Sequence, residues 1–359
     1  MTVDPTLAQL PLTLLTGFLG SGKTTLLRRA LSAPEFADTA VVINEVGAVA
    51  IDHYLVDFAL GDVVELPGGC LCCAVREDLA ATLRNLVERR DTGDIRAFRR
   101  IVVETSGLAD PGPILFTLGT DAMLDRRLRL CRAATVIDAV AGAAALDRFA
   151  EAARQAAIAD VLIVSKTDLA PFSPALAARL EALNPAARRI IGTGAADPAG
   201  VLFPADTGAR QPMSIMPGPD RGIHGTTAAI PGVAGGRVRP GHDDDGYEHA
   251  AHTHGIATYT VVLDGPLGRF DFARALGGLA QARGYDLLRV KGIVAFADAP
   301  GRPAVVQAAQ HAMFAPEWLD GWPDDDRRSR LVFIVHDIAP AEILAHFAFA
   351  NPHLVGLTA

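Results

Sequence analysis

The first half of the chain alternates short apolar runs with segments whose apolar residues recur at helical spacing. Five apolar runs predict buried strands: "LPLTLL", "TAVVINE", "RRIVVETSG", "AATVIDAV" and "ADVLIVSKTD". Between the second and third runs, residues 77–90 place Leu79, Leu83, Leu86 and Val87 on one helical face, and an Ala-rich helix precedes the fifth run. Strands that alternate with helices predict an α/β fold with a doubly wound, mostly parallel sheet.

This pattern stops at about residue 203. Residues 204–255 are rich in Gly, Pro, Asp and His and show no periodicity, which is typical of a flexible linker. Strand and helix patterns then return in the last hundred residues. We therefore expect a domain at 1–203, a linker at 204–255, and a second, smaller α+β domain at 256–359.

The amino-acid composition limits the classes of function that we expect for this protein. Half of the 359 residues are hydrophobic, enough for two cores, and the net charge of −8 disfavours a nucleic-acid partner. The chain shows no secretory leader and no apolar run near the roughly 20 residues of a membrane helix. We expect a cytoplasmic protein without a membrane partner, whose four cysteines are free for metal or redox chemistry.

A phosphate-binding loop follows the first predicted strand. Residues 17–24, "GFLGSGKT", match G-x-x-x-x-G-K-[ST] between a strand and a helix, as a P-loop requires. Its glycines let backbone N–H groups face phosphates, and the helix N-terminus adds partial positive charge. We expect Lys23 to bridge the β- and γ-phosphates and Thr24 to bind Mg²⁺, both as catalytic residues. The predicted nucleotide contacts are Gly17, Gly20, Ser21, Gly22, Lys23 and Thr24.

A second Mg²⁺ element is expected at the end of a central strand. Glu104 in "IVVETSG" is the best candidate, binding the ion directly or through water, and we assign it a catalytic role. The alternative is an ordinary carboxylate at a strand end. Gly107, three residues later, would let the backbone approach the γ-phosphate.

The base is selected by "SKTD", residues 165–168, at the end of the "VLIV" strand. The carboxylate of Asp168 can accept hydrogen bonds from N1 and N2 of guanine, a donor pair that adenine lacks, and the stem of Lys166 can lie over the base. These residues predict GTP over ATP. Ser165 stands where Asn is commoner, which is tolerable because the carboxylate discriminates between the bases.

Three cysteines lie within four consecutive positions in "GGCLCC", namely Cys70, Cys72 and Cys73. Disulfide geometry disfavours bridges at such spacing. The cluster lies at the predicted start of the helix in 77–90, where the helix N-terminus lowers a thiol's pKa and favours the metal-binding thiolate. Three thiolates suit Zn²⁺ or Co²⁺, with an open or partner-completed fourth position. Buried thiols and a redox role are the alternatives.

A histidine-rich stretch of the linker indicates a second metal-binding segment. Its histidines lie among acidic residues and could bind metal loosely, or could simply be part of a solvated acidic linker. The candidate ligands are His242, His249, His252 and His254.

In their order, "GFLGSGKTT", "NEVG", "GGCLCC", "ETSGLADP" and "SKTD" resemble the CobW-type metal-chaperone GTPases. The resemblance continues into "RVKGI" and "SRLVFIVHDI", so it spans nearly the whole chain. It implies a GTPase domain, a C-terminal CobW domain, and a phosphate loop at 17–25, which adds Thr25 to the nucleotide contacts. It also implies that Cys70, Cys72 and Cys73 form the metal site.

The switch segment departs from the family pattern. The family has a second acid where this chain has Ala48, so Glu45 remains as the candidate metal ligand of this segment. The resemblance implies that Mg²⁺ and GTP order residues 44–47, assemble the thiolate site for Zn²⁺ or Co²⁺, and release the metal to a client protein after hydrolysis. Turnover should be slow, because no Gln stands in a switch position. A homodimer sharing the metal is compatible with three ligands per chain.

Three functions remain open at this point. The leading one is a GTP-driven metallochaperone. The second is a metal buffer or sensor in which nucleotide does not control the metal, and coupling between GTP and metal affinity distinguishes the two. The third is an ATP-dependent small-molecule kinase, which Asp168 argues against.

Overall fold

The computed structural model describes residues 9–44, 64–65, 74–192, 198–203 and 254–355. The predictions for Glu45, Ala48 and the three clustered cysteines concern residues outside these ranges, and so do those for His242, His249 and His252.

A seven-stranded sheet forms the first domain, and every strand pair in it is parallel. The strand order is β3-β2-β4-β1-β5-β6-β7, so β1 lies at the centre. The predicted doubly wound parallel sheet is confirmed. The strands are β1 (Leu10–Thr16), β2 (Thr39–Asn44), β3 (Val64–Glu65), β4 (Arg100–Thr105), β5 (Leu128–Asp138), β6 (Val161–Ser165) and β7 (Arg188–Ile191).

Helices connect these strands and cover the sheet. They are α1 (Lys23–Leu31), α2 (Ala74–Thr92), α3 (Gly112–Thr120), α4 (Ala122–Arg127), α5 (Gly142–Arg148), α6 (Ala150–Ile158), α7 (Pro174–Leu183) and α8 (Pro198–Leu202). The predicted apolar face of α2 is confirmed, since Leu79, Leu83, Leu86 and Val87 are all buried. The predicted Ala-rich helix is two helices, α5 and α6, because Phe149 between them adopts an extended backbone.

The second domain is an antiparallel sheet of order β11-β10-β9-β13-β8-β14, with β12 paired to β10. Its strands are β8 (Ile256–Leu263), β9 (Arg289–Val294), β10 (Ala304–Ala309), β11 (Ala312–Met313), β12 (Glu317–Trp318), β13 (Ser329–His336) and β14 (His353–Leu354). Its helices are α9 (Arg269–Arg283) and α10 (Pro340–His346).

The two faces of the second sheet have different partners. Val290, Leu331 and Phe333 belong to a core that includes residues of α9 and α10. Alternate residues point the other way, and Val332 and Ile334 join the core of the first domain instead. The second sheet therefore lies between its own helices and the first domain, an arrangement that the sequence pattern did not indicate.

A buried ionic group lies at the centre of this interface. Oδ1 of Asp160, in the first domain, accepts hydrogen bonds from Arg289 Nη2 at 2.8 Å and from Lys291 Nζ at 2.7 Å. The side chains of Asp160 and Arg289 are only 8% and 3% exposed. Burial alone would raise the pKa of Asp160, but Arg289 and Lys291 hold it well below its usual range.

Asp160 also joins three strands of the first sheet, because it directly precedes β6 and bonds to the middle of β5 and the start of β7. Its Oδ2 accepts a hydrogen bond from the Ala133 N–H at 2.9 Å, and its own N–H donates to the Ala133 carbonyl at 2.8 Å. Its carbonyl accepts a hydrogen bond from the Arg188 N–H at 3.0 Å. One residue thus connects β5, β6 and β7 with the second sheet.

Helix α3 makes a further contact between the domains. Gly112 and Gly119 lie so close to Gln310 and Ala312 that an added Cβ would collide with them. The ring of Phe116 meets His311 edge to face, with centroids 5.7 Å apart.

None of the helices that the structure describes combines the length and apolar character needed to cross a membrane.

We expect Asp160→Asn to lower the free energy of unfolding by about 3–5 kcal/mol, because two buried cations would lose their carboxylate. Urea denaturation of the full chain measures this change. The matched control is Asp298→Asn, whose exposed pair with Arg269 should contribute less than about 1 kcal/mol. Equal effects of the two substitutions would contradict a structural role for the buried group.

Candidate functional site

The phosphate loop connects β1 to α1 at the carboxyl edge of the first sheet. Gly17, Gly20 and Gly22 have φ angles of +146°, +70° and +97°, which side chains with a Cβ rarely adopt. A Cβ on Gly17 would lie 2.5 Å from the Val136 carbonyl oxygen. The backbone therefore forms the curled cradle that a P-loop needs for phosphate, and these glycines fit a bound nucleotide.

Lys23 is the first residue of α1 and is largely buried. Its Nζ donates to the Gly17 carbonyl at 2.8 Å and approaches the Phe18 carbonyl at 3.4 Å. The ammonium group thus lies over the loop, where the β- and γ-phosphates are expected. Ser21 is buried in the same loop, whereas Thr25, on the first turn of α1, is exposed.

The predicted Mg²⁺ residues are adjacent in the structure. The Thr24 hydroxyl donates to Glu104 Oε1 at 2.7 Å, and Glu104 is 4% exposed at the end of β4. Because β4 pairs with β1, the strand register brings Glu104 opposite Leu15, close to the loop. A hydroxyl and a carboxylate at this spacing fit a Mg²⁺ ion, which prefers oxygen ligands.

A tight turn follows Glu104 and touches the phosphate loop. The Ala109 N–H donates to the Ser106 carbonyl at 3.1 Å, which closes a turn centred on Gly107 and Leu108. A Cβ on Gly107 would lie 2.7 Å from Leu19 Cδ2 and 2.8 Å from the Leu19 backbone nitrogen. Glycine is therefore required here for close packing rather than for an unusual backbone angle.

Ser165 connects the predicted base-selecting segment to the phosphate loop. Its hydroxyl lies 2.6 Å from the Ser21 carbonyl and 3.2 Å from the Ile137 carbonyl, and it is buried. Sequence reasoning treated Ser165 only as a tolerable replacement for Asn. The structure adds a contact that holds the end of β6 against the loop.

Lys166 and Asp168 lie at the same edge of the sheet. Lys166 has a left-handed backbone (φ 56°), and its Nζ donates to Asp138 Oδ2 at 2.6 Å. Burial alone would raise the pKa of Asp138, but the hydrogen bonds from Lys166 and the Val140 N–H lower it. Asp168 is exposed and accessible to a base. Sequence reasoning missed Asp138, although its position at the end of β5 was a signal.

The described residues hold little of the predicted metal site. Among them, no three His, Cys, Asp or Glu side chains form a group that could hold a metal ion. His254 Nε2 lies 2.9 Å from the Leu146 carbonyl, so this nitrogen carries a proton and donates. Only Nδ1 of His254 could then bind a metal, and its role as a loose ligand stays a prediction.

We expect Gly107→Ala to lower the rate of nucleotide hydrolysis about tenfold, because the new methyl group would push the turn away from Leu19. Phosphate release measures the rate. Gly321→Ala is the control, since a Cβ there meets no atom within 4 Å. A wild-type rate for Gly107→Ala would show that the contact with the loop is not needed.

Two family models match the chain in the order of its domains. The CobW/HypB/UreG nucleotide-binding domain matches residues 11–190, and the cobalamin synthesis protein CobW C-terminal domain matches residues 256–350.

Curated relatives match over almost their full length. The zinc chaperone YjiA of Escherichia coli is 30% identical over 336 residues, covering 94% of this chain and 97% of the relative. The zinc chaperone CobW of a Sinorhizobium species is 28% identical, with 94% and 96% covered. The crystal structure of Zn(II)-bound YjiA GTPase from E. coli superposes with a TM-score of 0.65 at 28% identity, covering 96% and 99% of the two chains. The chain therefore belongs to the CobW family of metal-chaperone GTPases.

Proposed function

We propose that this GTPase is a metallochaperone that binds Zn²⁺ at Cys70, Cys72 and Cys73 and delivers it to a client protein under the control of GTP. One observation carries the proposal. In the strand register Ile43 of β2 lies opposite both Glu104 and Glu65, so β3 ends level with the candidate Mg²⁺ carboxylate. In the sequence the cysteine cluster stands between Glu65 and α2.

The described residues support a nucleotide-controlled switch. Lys23 would neutralise the β- and γ-phosphates, while Thr24 and Glu104 would hold Mg²⁺, which supplies charge neutralisation when bound. Asn44, the last residue of β2, lies opposite Thr105 at the same edge. The chain therefore enters the segment 45–73 beside the turn that contacts the phosphate loop. A γ-phosphate at this point can bias that segment between two arrangements.

Zinc is the cargo we propose, with cobalt as the second candidate. Thiolates bind both ions, and the relatives named above are zinc chaperones. The fourth ligand is open, because Ala48 replaces the second acid of the switch segment. Glu45 or a client residue would complete the site.

Guanine selection is assigned to Asp168. We expect Asp168→Asn to weaken GTP binding roughly 10- to 100-fold, because a charged hydrogen-bond acceptor is lost. The amide should favour xanthosine triphosphate, whose base has a carbonyl where guanine has its amino group. Competition of GTP, ATP and xanthosine triphosphate for the same site measures both effects. An unchanged preference for GTP would remove Asp168 from the base site.

The central experiment measures Zn²⁺ and Co²⁺ affinity with Mg²⁺ plus a non-hydrolysable GTP analogue and with Mg²⁺ plus GDP. We expect the GTP analogue to tighten metal binding at least tenfold, or about 1.4 kcal/mol of coupling. The Cys70→Ser, Cys72→Ser, Cys73→Ser triple variant should lose this tight site. Cys131→Ser, a substitution of the half-buried cysteine on β5, should keep it.

Two results would contradict the proposal. Equal metal affinity in both nucleotide states excludes GTP control, and the protein would then be a metal buffer or sensor. A Lys23→Ala variant that hydrolyses GTP at the wild-type rate would remove the phosphate loop from the reaction.

A further inference from the structure

A buried glutamine lies behind the turn that contacts the phosphate loop. Gln155, on α6, is fully buried. Its Nε2 donates to the Gly107 carbonyl at 3.1 Å and to the Ala109 carbonyl at 2.9 Å. One side-chain amide therefore holds two of the carbonyls of the turn formed by residues 106–109.

The orientation of this amide follows from its partners. Both partners are carbonyl oxygens, which only accept hydrogen bonds, so the NH₂ group must face them. The Oε1 atom accepts no hydrogen bond from any residue that the structure describes. An unsatisfied buried oxygen is unfavourable, so the contact with the turn is kept at some cost in stability.

Helix α6, which carries Gln155, is itself hydrogen-bonded to the first sheet. The Thr135 hydroxyl of β5 donates to the backbone carbonyl of Gln155 at 2.8 Å. The side chain that holds the turn therefore extends from a backbone position that is itself bonded to β5. The turn is enclosed between Gln155 on one side and Leu19 of the phosphate loop on the other.

Peptide planarity extends this contact to the N–H groups of the turn, of which the Leu108 N–H donates to the Ser106 hydroxyl at 3.4 Å. The Gly107 carbonyl and the Leu108 N–H belong to one planar peptide and point in opposite directions. A donor that holds the carbonyl also determines where the N–H faces. The same argument applies to the Ala109 carbonyl and the next N–H.

We propose that Gln155 is a positioning residue for GTP hydrolysis, which keeps the turn at 106–109 in the arrangement that meets the γ-phosphate. This inference rests on the proposed place of Gly107 at the γ-phosphate. If the turn moves away, the two N–H groups of the amide lose their partners in a buried place. Gln155 thus favours the GTP-bound arrangement. It does not reach the nucleotide itself, because the turn lies between them.

The test substitutes Gln155→Met, which keeps the length of the side chain and removes both donors. We expect affinity for a non-hydrolysable GTP analogue to fall about tenfold and single-turnover hydrolysis to slow about tenfold. Affinity for GDP, which has no γ-phosphate, should change less than twofold. The ratio of the two affinities is the readout, because general loss of stability would lower both together.

A matched control residue contacts the same helix from α7. Asn184, which follows α7, is also a buried amide, and its Nδ2 donates to the carbonyls of Ala156, Ala157 and Ala159 at the C-terminal end of α6 and not to the turn. Asn184→Leu removes a comparable set of hydrogen bonds. It should lower the melting temperature and leave the ratio of GTP-analogue to GDP affinity at the wild-type value.

A wild-type affinity ratio and rate in Gln155→Met would overturn the inference, and so would an equal loss of both affinities. If Gln155→Met fails to fold, the same ratio is measured on Gln155→Leu, which is smaller and also lacks both donors. Failure of the proposed function is distinguishable, because it would appear as equal metal affinity in the two nucleotide states or as wild-type hydrolysis by Lys23→Ala, and neither measurement involves Gln155.

Discussion

The buried carboxylate of Asp160 is the interaction on which the two-domain structure depends. It binds two cations of the second sheet and the Ala133 N–H of β5, although each charged group would be unfavourable if it were buried in the interface alone. The next residues form β6, which is entirely buried and ends at Ser165, itself bonded to the phosphate loop. One five-residue strand is thus held by polar contacts at both ends, between the domain interface and the nucleotide edge.

A second line of contacts runs through α3. The turn that touches Leu19 leads directly into this helix, and the helix packs against Gln310, His311 and Ala312 of the second sheet. Glycines at 112 and 119 permit that close packing. Any displacement of the turn that also moves α3 must therefore disturb contacts with the second domain, because packed interfaces do not deform continuously.

Sequence reasoning succeeded where the signal is local or periodic. The phosphate loop is a contiguous motif, and the apolar period of α2 predicted its buried face. The neighbours Thr24 and Glu104 were predicted separately, and the parallel register of β1 and β4 brings them to 2.7 Å. Gln155 was not predicted, because a polar residue in an Ala-rich helix shows no sign of what it will face. The contact between Asp160 and Arg289 was missed because these residues are 129 positions apart.

By itself the sequence determined the glycine loop for phosphate, and it predicts a carboxylate for guanine and three thiols for a soft metal. Each of these inferences depends on residue types at short spacing in the sequence, where local backbone geometry alone brings the groups together. Only the tertiary structure decided which groups hold these segments in place by hydrogen bonds. These groups are Ser165, Asp138 and Gln155 at the nucleotide edge and Asp160 at the interface. Hydrogen bonds across strands and helices join residues far apart in the chain, and their formation depends on packing that no local pattern encodes.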